Sequence, residues 1–408
     1  MNTFDIAIIG AGASGLFAGS LIDRKFKTII IEKNLIPGKK LLLTGAGKCN
    51  FTNIEKRSEF IKAYGENGSF LKFAFKAFDN SKCIKYFKVK GLKILITEDG
   101  RVFPESQKAS DVRNILIDEI NHRGHILLNG TTVKKISRNR SKFKIHTSNE
   151  NFDVEIIILC TGGKAYPVTG STGDGYSLAE NFGHRIVPTE PALTPLKINR
   201  FKLNKLAGVT LKEKIAFVYK NKKIIFSERG DILITHDGLS GPAILNISKY
   251  IKPGEKISIN LSNQDFGQTD KKLLNYASKY PKWSIKNIVK LFSIPESISS
   301  YLCESNKISS SKKISSLTKI ERRKLCKDIC ELPFIVKEKY GFEKAMVTAG
   351  GISLNEVNPK SLESLLVNNL YFTGEILNLD GKSGGYNLQC AFSTAYLAVQ
   401  NISNKLNK

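Results

Sequence analysis

The turn Gly10-Ala11-Gly12-Ala13-Ser14-Gly15 constrains the fold more than any other stretch of the chain. It follows the apolar run Asp5-Ile6-Ala7-Ile8-Ile9 and precedes Leu16–Leu21, where apolar residues recur at helical spacing. The next apolar run, Thr28-Ile29-Ile30-Ile31, ends on Glu32, 22 positions after Gly10. Strand, turn, helix, strand and acid in that order predict a βαβ dinucleotide-binding unit. Gly10 permits the tight turn, Gly12 lets the backbone approach a pyrophosphate, and Gly15 lets the helix pack close to the strand. The helix N-terminus offers free N–H groups and a partial positive charge to phosphates. Glu32 would accept hydrogen bonds from a ribose and repel a 2′-phosphate, which favours FAD or NAD over NADP.

At 408 residues the chain predicts more than one domain, and 41% hydrophobic with 25% charged residues is a globular composition. No apolar run reaches the length of a membrane span. The N-terminus enters a strand at once, without the pattern of a secretory signal. Seven cysteines are scattered, with no C-x-x-C pair and no zinc spacing, so reduced thiols in a cytoplasm are expected and no metal site is. The formal charge of +26, from 63 basic and 37 acidic residues, raises the question of nucleic acid. Lys far outnumbers Arg, and Ile and Asn are abundant, as AT-rich coding would produce. The charge also reads as diffuse in sequence, so a nucleic-acid partner is not the favoured expectation.

Pro37-Gly38-Lys39-Lys40 leads to the glycine-rich loop Leu41–Asn50, which can lie against a ligand. Val154–Cys160 is a buried-strand run closed by Thr161-Gly162-Gly163. From about Pro188 the pattern changes, with Pro191 and Pro195 marking a linker. Residues 191–265 read as β-rich and 266–344 as helical. After residue 345 strand and glycine logic returns, and Gly381–Gln389 opens an apolar helix. The expected architecture is α/β: a Rossmann-like nucleotide domain (1–190 and 345–408) interrupted by an inserted domain (191–344).

Several segments resemble flavoprotein motifs. Thr161-Gly162-Gly163 after its strand is similar to the second nucleotide-contacting turn of glutathione-reductase-type proteins. Gly170-Ser171-Thr172-Gly173-Asp174-Gly175 resembles a stretch of fumarate-reductase-like flavoproteins, and Thr373-Gly374-Glu375, Asp380-Gly381 and Gly384–Gln389 resemble a closing FAD motif. With Thr44–Asn53, Arg101–Pro104, Lys108–Asp111 and Thr235–Pro242, the whole pattern resembles the HI0933-like flavoprotein family of BaiN-type or aminoacetone-oxidase-type FAD-dependent oxidoreductases. The resemblance covers nearly the whole chain and is weakest over 265–340. It departs at Ala46, Lys48 and Cys390, where the family usually has Gly, Arg and Trp. Lys48 keeps the charge but lacks the planar fork of Arg.

The resemblance implies non-covalent FAD. Its contacts would fall on Gly10, Gly12, Ala13, Ser14, Gly15, Glu32 and Lys33, on Lys40, Gly45, Gly47, Lys48, Cys49 and Asn50, and on Val133 through its backbone. Further contacts would come from Thr161, Gly162, Gly163 and Asp174, and from Gly374, Glu375, Asp380, Gly385, Tyr386, Asn387 and Leu388. Physically, Gly384 and Gly385 let a backbone approach a flat ring, and the following helix dipole would stabilise negative charge on a reduced flavin. Glu375 and Asp380 fit either a ribityl hydroxyl or an ordinary cap. Cys49 lacks a partner cysteine, so packing outweighs a redox role. His236, beside Asp237, is the best acid–base candidate among five histidines, against a structural role.

The leading expectation is an FAD-dependent oxidoreductase acting on a small molecule. No second G-x-G-x-x-G occurs, so NAD(P)H, if it is the reductant, would dock transiently over the flavin. A flavin-dependent RNA-modifying or RNA-binding protein is the alternative, and a flavin-bound sensor a third.

Overall fold

The computed structural model describes residues 3–139 and 142–407. Two units divide the chain. One holds Met1–Pro191 and Met346–Lys408, and the other holds Ala192–Ala345.

In the first unit, strand β1 (Thr3–Ile9) runs into helix α1 (Ala13–Leu21) and back through strand β2 (Thr28–Ile31). β1 lies parallel to β2, with Ile6 opposite Thr28 and Ile9 opposite Ile31. On its other side it lies parallel to Asn151–Leu159, with Ile9 opposite Leu159. A strand covered on both faces carries a continuous apolar run, not an alternating one, and Ile6, Ala7 and Ile8 are fully buried. Each such isoleucine is worth about 1.5–3 kcal/mol on burial.

Among the described residues this sheet has seven strands, with Ile126–Leu128 beyond β2. Asn151–Leu159 is shared along its length. Its first half pairs antiparallel with Lys142–Thr147, and its last residues pair parallel with Leu370–Phe372. A strand from beyond the insert thus completes the sheet begun at the N-terminus. Helix α1 is short and rich in small residues. Phe17 anchors it, with ring centroids 4.9 Å from Phe392 on the C-terminal helix (Tyr386–Leu406) and 5.1 Å from Phe78.

Ile186–Ala192 is a strand paired with Val347–Ile352, not a linker. Pro188 and Pro191 hid it, because proline fits only where its missing N–H is not needed, as in so narrow a sheet.

The second unit is a closed barrel. Its strands run in the order Leu196–Ile198, Gly238–Ser240, Lys223–Ile234, Thr210–Lys220, Lys256–Asn260 and Leu332–Lys339, the last returning to the first. Helices Phe266–Lys279, Ile285–Lys290, Glu296–Ser305 and Lys319–Cys330 fill the excursion between its last two strands. The expectation of a helical 266–344 therefore needs correction at its end. Leu332, Phe334 and Val336 alternate inward at strand period while Pro333, Ile335 and Lys337 face out. Lys214 is buried at a bulge in this barrel, its Nζ donating to the Phe292 carbonyl at 3.1 Å.

Candidate functional site

The glycine turn has the geometry its sequence requires. Gly10 has φ +100°, and a Cβ there would lie 2.8 Å from the Cys160 carbonyl oxygen. A Cβ on Gly15 would lie 1.9 Å from the Gly10 oxygen, so only glycine lets α1 sit down on the turn. Space around Gly12 is open to 4 Å. No side chain caps α1, and its first-turn N–H groups, from Ala13 onward, remain available.

Glu32 is buried at the end of β2. One carboxylate oxygen accepts from the Ala11 N–H at 2.7 Å. The other accepts from the Asn34 N–H and amide at 2.9 and 2.7 Å. The oxygen that takes Asn34 is saturated with two bonds, while the one that takes Ala11 keeps a lone pair, so the acid ties down the turn and has one acceptor site left for a ribose. A cleft opens between these groups. Gly10–Gly12, Glu32–Asn34, Lys39, Lys40, Thr131–Val133, Thr161 and Gly170–Ser171 are among its walls. Lys33 crosses its mouth to Asp174 at 2.5 Å. Burial alone would raise the Asp174 carboxyl, but the Lys33 ammonium and the Thr172 hydroxyl outweigh it and hold the group below its ordinary range. The Thr161 hydroxyl is buried with no partner among the described residues.

A second knot lies around Glu375. Lys40 approaches it at 2.7 Å, and it accepts the Thr348 N–H at 3.0 Å. Thr348 Oγ1 in turn accepts from the N–H groups of Lys164 and Ala165 at 2.8 and 3.0 Å. A Cβ on Gly163 would fall 2.3 Å from that hydroxyl, which explains the second glycine of Thr161-Gly162-Gly163. Glu375 therefore serves as an anchor between three loops.

The third part joins the loop of Gly45, Gly47 and Asn50 to the C-terminal helix. Gly45, Ala46, Gly47 and Cys49 all have positive φ, and Ala46 stands there as a non-glycine. With its amide turned to suit its neighbours, Asn50 accepts from the Gly385 N–H at 3.0 Å and donates to the Thr52 carbonyl at 2.9 Å. Gly385, at φ +96°, would place a Cβ 2.4 Å from that carbonyl. No side chain caps the helix that starts at Tyr386. The Tyr64 hydroxyl donates to the Tyr386 carbonyl at 2.8 Å. Asp380 and Leu388 are half-buried beside this turn.

Four expectations change in detail. The Ser14 hydroxyl points inward, donating to Thr373 Oγ1 at 2.8 Å and to the Ala391 carbonyl at 3.1 Å, so only its backbone is free for a ligand. The Asn387 amide closes its own loop on Gly381, at 2.9 and 3.0 Å. Cys49 is fully buried, and burial pushes its thiol up to about 12, so it is an inert packing group and only its backbone can face a cofactor. His236 is exposed, and Asp237 does not orient it. Asp237 instead accepts the Tyr340 hydroxyl at 2.6 Å. Lys48 is exposed.

Asn34, Thr348 and Tyr64 were missed by sequence reasoning. Only Thr348 carried a signal, as the polar residue entering Ala349-Gly350-Gly351.

A free helix N-terminus, an open glycine, an acid with one acceptor site left and an orphan hydroxyl around one cleft suit an adenosine diphosphate moiety. This is the construction of the FAD-dependent oxidoreductases, and the protein is an enzyme of that class. More narrowly, the chain belongs to the HI0933-like family, whose Rossmann-domain model matches residues 4–401. It is 31% identical over 403 residues to the 3-dehydro-bile acid delta(4,6)-reductase of Clostridium scindens, covering 96% of this chain and 97% of that one. It is 30% identical over 408 residues to the ribosomal RNA dihydrouridine synthase of Escherichia coli strain K12, covering 98% of each. A quinol-fumarate reductase structure superposes with a TM-score of 0.52 at 14% identity, covering all of this chain and 72% of that one, a likeness of fold. Among the described residues no helix is long and apolar enough to cross a membrane.

Proposed function

We propose that the protein reduces a carbon–carbon double bond conjugated to a carbonyl, with NAD(P)H as the source of the electron pair. One observation carries this reading. Two relatives matched over at least 96% of the chain bear names for unlike substrates but one kind of reaction. A bile-acid delta(4,6)-reductase and a dihydrouridine synthase both add two hydrogens across a double bond in conjugation with a ring carbonyl. FAD, held without a covalent bond, would carry the electron pair between reductant and substrate. The chain's own part is to grip and tune. The first turn of α1 and Glu32 bind the adenosine diphosphate end, and the uncapped helix at Tyr386 stabilises negative charge near the ring.

The test is anaerobic. The purified yellow protein is mixed with NADH and with NADPH, then with a 4-en-3-one steroid or with ribosomal RNA. Flavin bleaching followed by reoxidation on an enone supports the reading. Bleaching without reoxidation by any conjugated carbonyl refutes it. Acid should release all of the flavin.

A second, narrower reading takes uracil in RNA as that enone. The distribution of charge favours it. The inserted unit, Ala192–Ala345, holds 30 basic and 14 acidic residues, a surplus of 16 out of the chain's 26. The charge that read as diffuse in sequence is thus concentrated in the smaller unit.

A further inference from the structure

Resting on the RNA reading, we infer that the helical part of the inserted unit carries a docking surface for single-stranded RNA, centred on Tyr280 and Trp283. Residues 266–330 hold 14 basic and 5 acidic side chains. Most of those acids are already engaged. Asp270 takes Arg322 at 2.7 Å, Glu296 takes Lys286 and Lys290 at 2.8 and 3.0 Å, and Glu321 takes Lys312 at 2.8 Å. Asp328 accepts from the Asn306 amide at 2.8 Å. Lys279, Lys282 and Lys313 remain exposed, with no carboxylate partner among the described residues. Their charge faces water, unneutralised.

Flat rings lie in the same segment. Tyr280 and Trp283 stack with centroids 4.4 Å apart and planes 23° from parallel, and Tyr276 continues the row at 6.3 Å from Tyr280. Trp283 is 42% exposed although it is the chain's single tryptophan. Lys279 Nζ sits 5.3 Å from the Tyr280 ring centroid. The Trp283 carbonyl accepts from the Ile314 N–H at 2.9 Å, and a bridge joins Ser284 to Lys313, which brings Lys313 alongside. Sequence spacing alone would not unite these residues; the fold does.

An aromatic row that ends in the exposed Trp283, with half-buried Tyr280 and Tyr276 behind it and exposed lysines nearby, matches both halves of an unpaired strand. Bases stack on rings whatever their identity, and phosphates exchange their counterions for lysines. A membrane surface shares the negative charge but offers no planar face to a stack of rings.

The test uses the FAD-loaded protein and a labelled 20-nucleotide oligouridylate. Because Trp283 is the sole indole, its fluorescence reports the contact directly, and saturable quenching by the RNA is expected. Trp283→Ala should weaken binding by about fivefold or more. Lys279→Gln, Lys282→Gln and Lys313→Gln combined should flatten the slope of log affinity against log salt by about 2. Tyr280→Leu is a second aromatic variant, and an unchanged flavin spectrum certifies the fold of each. Absent RNA binding, binding with no quenching and unchanged variants, or quenching by phosphatidylglycerol vesicles but not by RNA would each overturn the surface. Dihydrouridine formation in ribosomal RNA separates this inference from the reading beneath it. Product made equally well by all variants removes the surface and keeps the reading. Quenching that depends on Trp283 with no product in any RNA keeps the surface and removes the reading.

Discussion

The two units put side-chain chemistry to opposite uses. In the nucleotide unit the decisive residues are nearly featureless. Gly10, Gly15, Gly163 and Gly385 matter because a single methyl would collide with backbone or hydroxyl oxygen at 1.9–2.8 Å. The barrel unit has few such positions in a site and instead carries most of the surplus charge, on a wall of alternating Leu, Ile and Val. A cofactor held for the life of a protein needs backbone shape. A partner met and released needs only charge and exposed faces.

The sharpest way to break this comparison is Gly15→Val. With a Cβ due 1.9 Å from the Gly10 oxygen, α1 must move off the turn, and retained flavin should fall below about a tenth of wild type, read from the visible spectrum after gel filtration. Normal flavin content would mean that the turn is not where the cofactor is held. Glu32→Ala comes next. It leaves the ribose without a charged acceptor and frees the Ala11 and Asn34 N–H groups, so FAD affinity should drop about ten- to a hundredfold, equivalent to roughly 1.5–3 kcal/mol. Unchanged affinity on titration of apoprotein would move the ribose contact elsewhere.

Lys214→Met probes the other unit. Its ammonium is buried against one carbonyl, and an apolar side chain of similar length should leave melting unchanged or raise it by a few degrees, with FAD content unaffected. Burial lowers the Lys214 pKa from the ordinary lysine value. The unfolded chain therefore binds the proton more readily, and stability should rise with pH between the folded and unfolded pKa. That rise should vanish in the methionine variant; its persistence in denaturant titrations above pH 8 would assign it to another group. His236→Gln is the mildest. Without an orienting acid the imidazole is not a positioned catalyst, so turnover should slow by less than about tenfold, against the ~10²-fold or more of a held acid–base group. A loss beyond that range would restore His236 to the chemistry.

Where sequence was legible, it was because function lay in local backbone geometry. Gly10 to Glu32 read correctly as a strand, turn, helix and strand, since each step is set by neighbours within a few positions. The same holds for the glycine turn before Tyr386. What escaped were choices made at long range. Ser14 lies 359 positions from its partner Thr373, and Lys164 lies 184 from Thr348. Nothing local decides whether a serine at a helix start faces a phosphate or the core. Leu332–Lys339 escaped because Lys337-Glu338-Lys339 masks a three-residue inward alternation, and Ile186–Ala192 because of its prolines. The stack of Tyr280 on Trp283 was invisible for another reason: exposed aromatics in sequence look the same as buried ones.

The sharing of Asn151–Leu159 with Leu370–Phe372 decides when, during synthesis, each unit has all its parts. On the ribosome the N-terminal strands emerge first, yet their sheet lacks its last member until residue 372 is made. The barrel, begun later, has its closing strand by Lys339 and is complete first. The helix that backs α1 ends at Leu406, about 70 residues later, or roughly 3–14 s at ordinary elongation rates. Through that interval the nucleotide unit still lacks Leu370–Phe372 and its C-terminal helix, while every strand of the barrel has been made. A chain stopped between these points would carry all six barrel strands and a nucleotide sheet one strand short.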